Sequence, residues 1–201
     1  MASRSLASFV PDQPTSFAGR HTCDSPEWYS PSPFVEAARE VMGGIDLDPA
    51  SHAEANVIVK ATRFFTAEDD GLKQQWSGRV FLNPPGGLVN EFWAGMCSMF
   101  RARWIEQAVW IGYSLEQLQT LQQIKPPCEW PLQFPTCITK QRIAFVENAA
   151  KQAQRFEKLR ALGKKPNAKS SPSHSNYITY LGPEVRRFAS VFSQFGRIVN
   201  G

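Results

Sequence analysis

The chain has few residues of the types that form disulfides or bind metal ions, and it has no long apolar run. Its 201 residues contain four cysteines and three histidines. The cysteines show no Cys-x-x-Cys spacing, which predicts reduced thiols and no metal site. The longest apolar runs are far shorter than the ~20 residues that cross a bilayer, and the first residues contain no apolar signal core. We therefore expect a cytoplasmic protein without a membrane partner.

The composition is that of one domain with a small excess of positive charge. Hydrophobic residues make up 42% of the chain, the formal net charge is +4 and the pI is about 9.0. This hydrophobic content fills one core of ordinary size and requires no second domain. Residues 1–26 lack clear periodicity, which predicts an irregular arm, and residues 27–201 form the single domain. No sequence feature indicates an oligomeric state.

Short β-rich runs alternate with segments of helical periodicity along residues 27–201. We expect strands near 44–48, 79–83, 108–113, 177–181 and 195–199, a strand or hairpin within 137–145, and helices near 33–42, 53–60, 88–104, 115–124, 147–162 and 183–193. This alternation predicts an α/β fold with a single doubly wound, mainly parallel sheet and helices on both faces. Ligands of such sheets bind at the carboxyl ends of the strands.

The sequence Asn83-Pro84-Pro85 directly follows the apolar run Val80-Phe81-Leu82. The first proline must end that strand, so Asn83 lies at its carboxyl edge. Two successive prolines fix the backbone and offer carbonyl acceptors, but no N–H donors, beside the Asn83 amide oxygen. Such acceptors can bind both hydrogens of a conjugated –NH2 group, which frees its lone pair to attack a methyl sulfonium. The motif indicates amino-group methylation; a simple Pro-Pro turn is the alternative.

Three further segments precede this motif. They are Trp28-Tyr29-Ser30-Pro31, Asp46-Leu47-Asp48-Pro49-Ala50-Ser51 and Asp69-Asp70-Gly71-Leu72. In this order, and together with Asn83-Pro84-Pro85, they resemble the phage-type DNA N6-adenine methyltransferase family, whose Dam-like enzymes depend on S-adenosyl-L-methionine. The similarity is specific over residues 27–85 and weaker over the rest of the chain.

The resemblance implies a Rossmann-like methyltransferase fold and a role for each segment. The Trp28 to Pro31 segment and Asp48 would hold S-adenosyl-L-methionine at its methionine and ribose end, and Asp69 or Asp70 would lie near its adenine ring. Asn83 and the Pro84 carbonyl would hold the amino group of the target adenine in DNA. The implied cofactor-binding residues are Trp28, Tyr29, Ser30, Pro31, Asp46, Asp48, Pro49, Ala50, Asp69 and Asp70.

Two positions depart from the family pattern. Ser30 replaces a threonine and keeps the hydroxyl group. Gly86 stands where an aromatic residue normally stacks on the flipped base. If the strands 79–83 and 108–113 are neighbours, Tyr113 lies at the carboxyl end of its strand, beside Gly86, and could supply that stacking face. An ordinary residue at a strand end is the alternative for Tyr113.

Basic residues are concentrated in a Ser/Pro-rich segment at 163–176, with others near residue 140. Such a segment suits contacts with nucleic-acid phosphates, and a solvated linker is the alternative. The candidate nucleic-acid-binding residues are Gly86, Tyr113, Lys140, Arg142, Lys164, Lys165, Lys169 and His174. The interval between Asp48 and Asn83 is too short for a specificity domain. We therefore expect target recognition from loops 125–140 and 163–176 and from the N-terminal arm.

Three functional hypotheses follow. The first is an adenine-specific DNA methyltransferase, located in the host cytoplasm if it is encoded by a phage. The second, motivated by Gly86, is a degenerate methyltransferase fold that binds nucleic acid or cofactor without turnover. The third keeps the chemistry but acts on an amino or amide group in RNA or protein.

Overall fold

The computed structural model describes residues 28–147, 149–165 and 174–200. In these ranges the chain forms nine strands and six α-helices. The strands are β1 (Trp28–Tyr29), β2 (Leu47–Asp48), β3 (Arg63–Phe64), β4 (Gly78–Leu82), β5 (Ile105–Tyr113), β6 (Thr136–Thr139), β7 (Val146–Glu147), β8 (Asn176–Leu181) and β9 (Gly196–Val199). The helices are α1 (Ser32–Met42), α2 (Ala53–Val59), α3 (Val89–Arg101), α4 (Leu115–Leu121), α5 (Ala149–Ala161) and α6 (Val185–Phe192). The predicted arm at 1–26 lies outside the described residues.

Seven strands form one sheet in the order β3-β2-β4-β5-β8-β6-β9, and β1 pairs separately with β7. The first four strands are parallel to one another. The remaining pairings, β5 with β8, β8 with β6 and β6 with β9, are antiparallel. The sheet is therefore mixed. The prediction of a mainly parallel sheet was wrong for the half that contains β8, β6 and β9.

The physical reason for the antiparallel half is the path of the chain after β6. Strand β6 ends at the same edge as β5, because both run antiparallel to β8, which lies between them. Strand β8 then starts at that edge, with Asn176 paired to Tyr113 at the end of β5. The chain between β6 and β8 includes helix α5 but returns to the same edge, so β8 must run in the opposite direction.

Two apolar clusters on opposite faces of the sheet hold the helices in place. On one face, α1 and α6 pack against side chains such as Phe81 and Ile111. On the other face, α3 and α4 pack against Val80, Leu82 and Trp110. The alternation along β4 follows from the two-residue period of a strand. The predicted placement of helices on both faces is confirmed, and the fold is α/β and compatible with a Rossmann-like arrangement.

Several predicted boundaries differ from the observed ones. The segment 137–145 forms only the strand β6 and no hairpin, and Glu147 belongs to β7 rather than to the helix that follows. Gly163 follows α5 with a positive φ, in agreement with its predicted role in ending that helix.

No helix in the described part of the chain combines the length and the apolar character needed to cross a membrane.

Candidate functional site

Three of the predicted site residues lie at one edge of the sheet. Asp48 ends β2, Asn83 follows β4 directly and Tyr113 ends β5. These strands are adjacent and parallel, so their carboxyl ends meet at the same edge. This edge is where open α/β sheets bind ligands.

Asp48 is a buried carboxylate with few polar contacts. Its side chain is 4% exposed, and its Oδ1 accepts a hydrogen bond of 3.2 Å from the Ala50 N–H. Burial raises the pKa of Asp48 from 3.8 to about 7, although the hydrogen bond from the Ala50 N–H acts in the opposite direction. A buried acid of this kind at a strand edge is typical of a functional site.

This pKa predicts how the stability of the free protein depends on pH. Between pH ~4 and 7 the folded chain keeps a proton on Asp48 that the unfolded chain has lost, so Asp48 destabilises the fold as the pH rises through this range. The variant Asp48→Asn stays neutral, and its stability advantage should grow by up to about 1.4 kcal/mol per pH unit over that window. Urea unfolding of both proteins at several pH values is the measurement; parallel pH curves would contradict the assignment.

The Asn83 side chain is oriented by a hydrogen bond to the Trp28 to Pro31 segment. Its Nδ2 group donates a hydrogen bond of 3.1 Å to the Trp28 carbonyl. This bond directs the amide nitrogen towards β1, and the Oδ1 atom therefore points away from it, in the orientation an acceptor needs. The adjacent Pro84 is buried, whereas Pro85 is exposed and its carbonyl accepts the Leu88 N–H at 3.0 Å.

The Trp28 to Pro31 segment lies over the turn that follows Asp48. Its strand β1 pairs with β7, so that Trp28 faces Glu147. The Tyr29 hydroxyl donates to Glu54 Oε2 at 3.0 Å, and its ring lies 4.9 Å from the ring of His52. Ser30 is buried, and Pro31 precedes α1. The structure thus joins this segment to Asn83 and to His52 and Glu54, which follow the turn after Asp48.

The acidic turn also packs against the end of β2. A Cβ atom on Gly71 would lie 2.0 Å from the Pro49 carbonyl oxygen, so only glycine permits this contact. Asp69 accepts hydrogen bonds from the Thr66 N–H and hydroxyl, both at 2.8 Å, which lower its pKa. Asp70 pairs with Lys73 at 2.9 Å. The turn therefore lies beside Pro49, and the predicted position of Asp69 or Asp70 near an adenine ring stays a prediction.

Asp46 is held differently from Asp48. Its two oxygens accept from Nε and Nη2 of Arg79 at 2.8 and 2.6 Å, and Oδ2 also accepts from the Arg79 backbone N–H. The Arg79 hydrogen bond lowers the pKa of Asp46. This carboxylate is thus engaged by an arginine, and its predicted contact with the cofactor stays a prediction.

Gly86 and Tyr113 are direct neighbours, as the sequence predicts. A Cβ atom on Gly86 would lie 3.2 Å from the Tyr113 hydroxyl, so the tyrosine reaches the space above the glycine. Both residues line a crevice of about 370 Å³ between the turn after β4 and helix α4. This volume falls in the range of roughly 300–1,000 Å³ that is usual for ligand pockets.

The crevice has buried polar groups without partners in the described part of the chain. One is the Tyr113 hydroxyl, whose pKa is raised to about 12 by burial, so it is neutral and can donate. The other is Gln117 Nε2, while Gln117 Oε1 accepts from the Tyr113 N–H and the Tyr177 hydroxyl. The His174 ring lies 6.2 Å from that of Tyr113. Two donors without partners beside a crevice can bind water or a polar ligand.

Of the described lysine and arginine candidates, two follow the end of β6 and two follow α5. Lys140 and Arg142 are exposed and follow β6, which ends at this edge. Lys164 and Lys165 are exposed and follow α5. Lys169 lies outside the described residues.

Sequence reasoning missed three features of the site. The hydrogen bond from Asn83 to Trp28 joins residues 55 positions apart, and no local pattern predicts it. In the sequence, Gln117 is an ordinary polar residue of the predicted helix 115–124. Asn176 accepts the Ile143 N–H at 2.9 Å and donates to the Gly112 carbonyl at 3.4 Å, which holds together the segments that leave β5 and β6. For Asn176, the available sequence signal was a polar residue directly before a β-rich run.

Comparisons of the chain with protein-family models, with curated proteins and with solved structures give no match.

Proposed function

We propose that this protein is an S-adenosyl-L-methionine-dependent methyltransferase that acts on the N6 amino group of adenine in DNA. One observation carries the proposal: the Asn83 amide nitrogen is bound to the Trp28 carbonyl, which directs its oxygen away as an acceptor at the end of β4. The Asn83-Pro84-Pro85 motif needs this orientation to bind an amino group. The resemblance of residues 27–85 to the phage-type DNA N6-adenine methyltransferase family indicates which cofactor and which base the reaction uses.

The residues around Asp48 fit the proposed cofactor. When bound, S-adenosyl-L-methionine supplies a methyl group on a sulfonium centre. Asp48 is a buried acceptor that pairs with no cation in the described part of the chain, and it suits the hydroxyl donors of a ribose. Tyr29 and Ser30 are buried in the segment next to it. The turn at Gly71, packed on Pro49, provides a wall for the adenine ring.

In the proposed reaction the chain holds the amino group rather than removing a proton from it at the start. Asn83 Oδ1 and the Pro84 carbonyl accept the two N–H bonds, which withdraws the nitrogen lone pair from the ring. Held in this way, the amino nitrogen would be nucleophilic enough to take the methyl group that a sulfonium donor would supply, with the thioether S-adenosylhomocysteine as the leaving group and one amino proton released to solvent afterwards. Fixed acceptors of this kind stabilise the positive charge that develops on nitrogen.

Tyr113 is the proposed stacking partner of the base. A stack between a base and an aromatic side chain is worth about 1–3 kcal/mol. We expect Tyr113→Ala to lower single-turnover methyl transfer to DNA about ten- to a hundredfold and to leave cofactor affinity unchanged. Rapid-quench assays at saturating cofactor are the measurement.

The contact between Tyr113 and Gly86 provides a stringent control. In the wild-type background, Gly86→Tyr should fail to activate the enzyme, because the new side chain meets the Tyr113 hydroxyl. The double variant Gly86→Tyr/Tyr113→Ala moves the ring to the usual family position and should regain part of the activity lost in Tyr113→Ala. Activation by Gly86→Tyr alone would show that Tyr113 does not provide the stacking face.

One observation favours a different substrate for the same reaction. The crevice is also lined by the carboxylates of Glu91 and Glu116, both exposed, which repel phosphate. A glutamine amide in a basic protein segment would suit this rim, and it can be held by the same pair of acceptors. Methylation of a protein amide is therefore the second candidate.

Transfer of labelled methyl groups separates these candidates. The protein is incubated with methyl-tritiated S-adenosyl-L-methionine and, in parallel, with unmethylated DNA, RNA or total cellular protein. The proposal expects label in DNA above that in RNA and protein. Label confined to protein would support the second candidate, and label in none of the three would support a fold without turnover.

A further inference from the structure

Helix α5 does not belong to the two helical layers that cover the sheet. It follows β7, which pairs with β1 rather than with the main sheet. None of its described side chains, from Gln152 onwards, is buried. The helix is therefore attached to the site edge and leaves most of its surface open.

A buried ion pair fixes α5 to that edge. Arg155 Nε and Nη2 donate to the two oxygens of Glu147 at 3.0 and 2.9 Å, and the Glu147 side chain is only 4% exposed. Glu147 faces Trp28 in the β1–β7 pair, and the Trp28 carbonyl binds Asn83. The position of α5 is thus linked to Asn83 through three contacts: the Arg155–Glu147 ion pair, the β1–β7 strand pair and the hydrogen bond to the Trp28 carbonyl.

One side of α5 faces the protein. With about 100° between successive residues of a helix, one side contains Gln152, Arg155, Phe156 and Leu159. All four are half-buried. The opposite side contains Gln154, Glu157 and Ala161, and all three are exposed.

Two cations flank the exposed side. Lys158 and Arg160 are two positions apart and therefore about 160° apart around the helix, one on each side of the exposed face. Both are exposed, as are Lys164 and Lys165 just beyond the helix. Among the described residues, none of these four forms an ion pair.

We propose that α5 lies in the major groove of duplex DNA. The major groove is about 12 Å wide and admits one α-helix. Lys158 and Arg160 then reach the phosphates on its two walls, while Gln154 and Glu157 face the base edges between them. Glutamine suits adenine and glutamate suits the amino group of cytosine, so these two residues read sequence and the cations provide affinity. The inference rests on the proposed function for its choice of duplex DNA.

The salt dependence of DNA binding tests the phosphate contacts. Binding of a fluorescent 30-base-pair duplex is measured by anisotropy, without cofactor, at several NaCl concentrations. The variant Lys158→Gln/Arg160→Gln should flatten the slope of log K against log salt by about 1–2 and weaken binding about tenfold at 0.1 M salt. The matched control is Arg186→Gln/Arg187→Gln, an exposed pair on α6 outside the site, which should leave the slope unchanged. A wild-type slope in the α5 variant, or an equal change in the control, would overturn the proposal.

A second pair of substitutions tests base reading. Gln154→Ala/Glu157→Ala should retain the wild-type slope but lose the preference among sites when a randomised duplex pool is methylated and sequenced. An unchanged preference would overturn the role of these two residues. Because the slope is measured without cofactor, absence of methyl transfer to DNA would defeat the proposed function and leave the binding result interpretable.

Discussion

Replacing Asn83 by alanine should nearly abolish methyl transfer. The variant loses Oδ1, one of two fixed acceptors for the target amino group, and also the hydrogen bond that anchors Trp28. Losing one preorganised group of this type costs about 10²–10³-fold in turnover. Single-turnover rates on DNA at saturating S-adenosyl-L-methionine are the measurement, because saturation removes any effect of a looser Trp28 segment on cofactor affinity.

Two further variants separate chemistry from packing. Asn83→Asp keeps an acceptor but loses the donor to Trp28, so it should retain more activity than Asn83→Ala. Asn90→Ala removes another amide, one that lines the crevice and whose oxygen accepts from the Thr120 hydroxyl at 3.3 Å, and should reduce the rate far less. If Asn83→Ala and Asn90→Ala lose activity equally, Asn83 has no special role.

Asp48→Ala should weaken binding of S-adenosyl-L-methionine about ten- to a hundredfold. A hydrogen bond to a charged group is worth about 1.5–3 kcal/mol. The ionised carboxylate is the stronger acceptor, and burial raises its pKa to about 7, so wild-type affinity should increase as the pH rises from 6 to 8. Titration calorimetry at several pH values measures both effects.

Asp48→Asn and Asp46→Asn complete this test. Asp48→Asn should bind the cofactor weakly and without the increase between pH 6 and 8. Asp46 is already bound by Arg79, so we expect Asp46→Asn to lose less affinity and to keep that increase. A folded Asp48→Ala variant with wild-type affinity would show that the cofactor binds elsewhere.

The parts of the site that the sequence predicts depend on strand ends and tight turns. The two prolines after Leu82 had to end β4, and parallel pairing of β4 with β5 then brought Tyr113 to Gly86. Each inference needs only local backbone rules and one pairing of neighbouring strands.

The parts that could not be predicted depend on contacts between distant segments. All six residues of β8 are buried and four of them are aromatic or aliphatic, a composition that suits a parallel strand as well as an antiparallel one. Its direction was set by the edge at which the chain arrives after β6. Likewise, the charge pattern of 147–162 predicted a helix but not that Glu147 would pair with β1 and hold α5 through Arg155.

The most direct test of the account identifies the methylated product. DNA is incubated with methyl-tritiated S-adenosyl-L-methionine and either wild-type protein or Asn83→Ala, digested to nucleosides and separated by chromatography. The account predicts label that co-migrates with N6-methyldeoxyadenosine for the wild type and almost none for Asn83→Ala. Label in another nucleoside, equal label with both proteins, or no label in DNA with the wild type would contradict it.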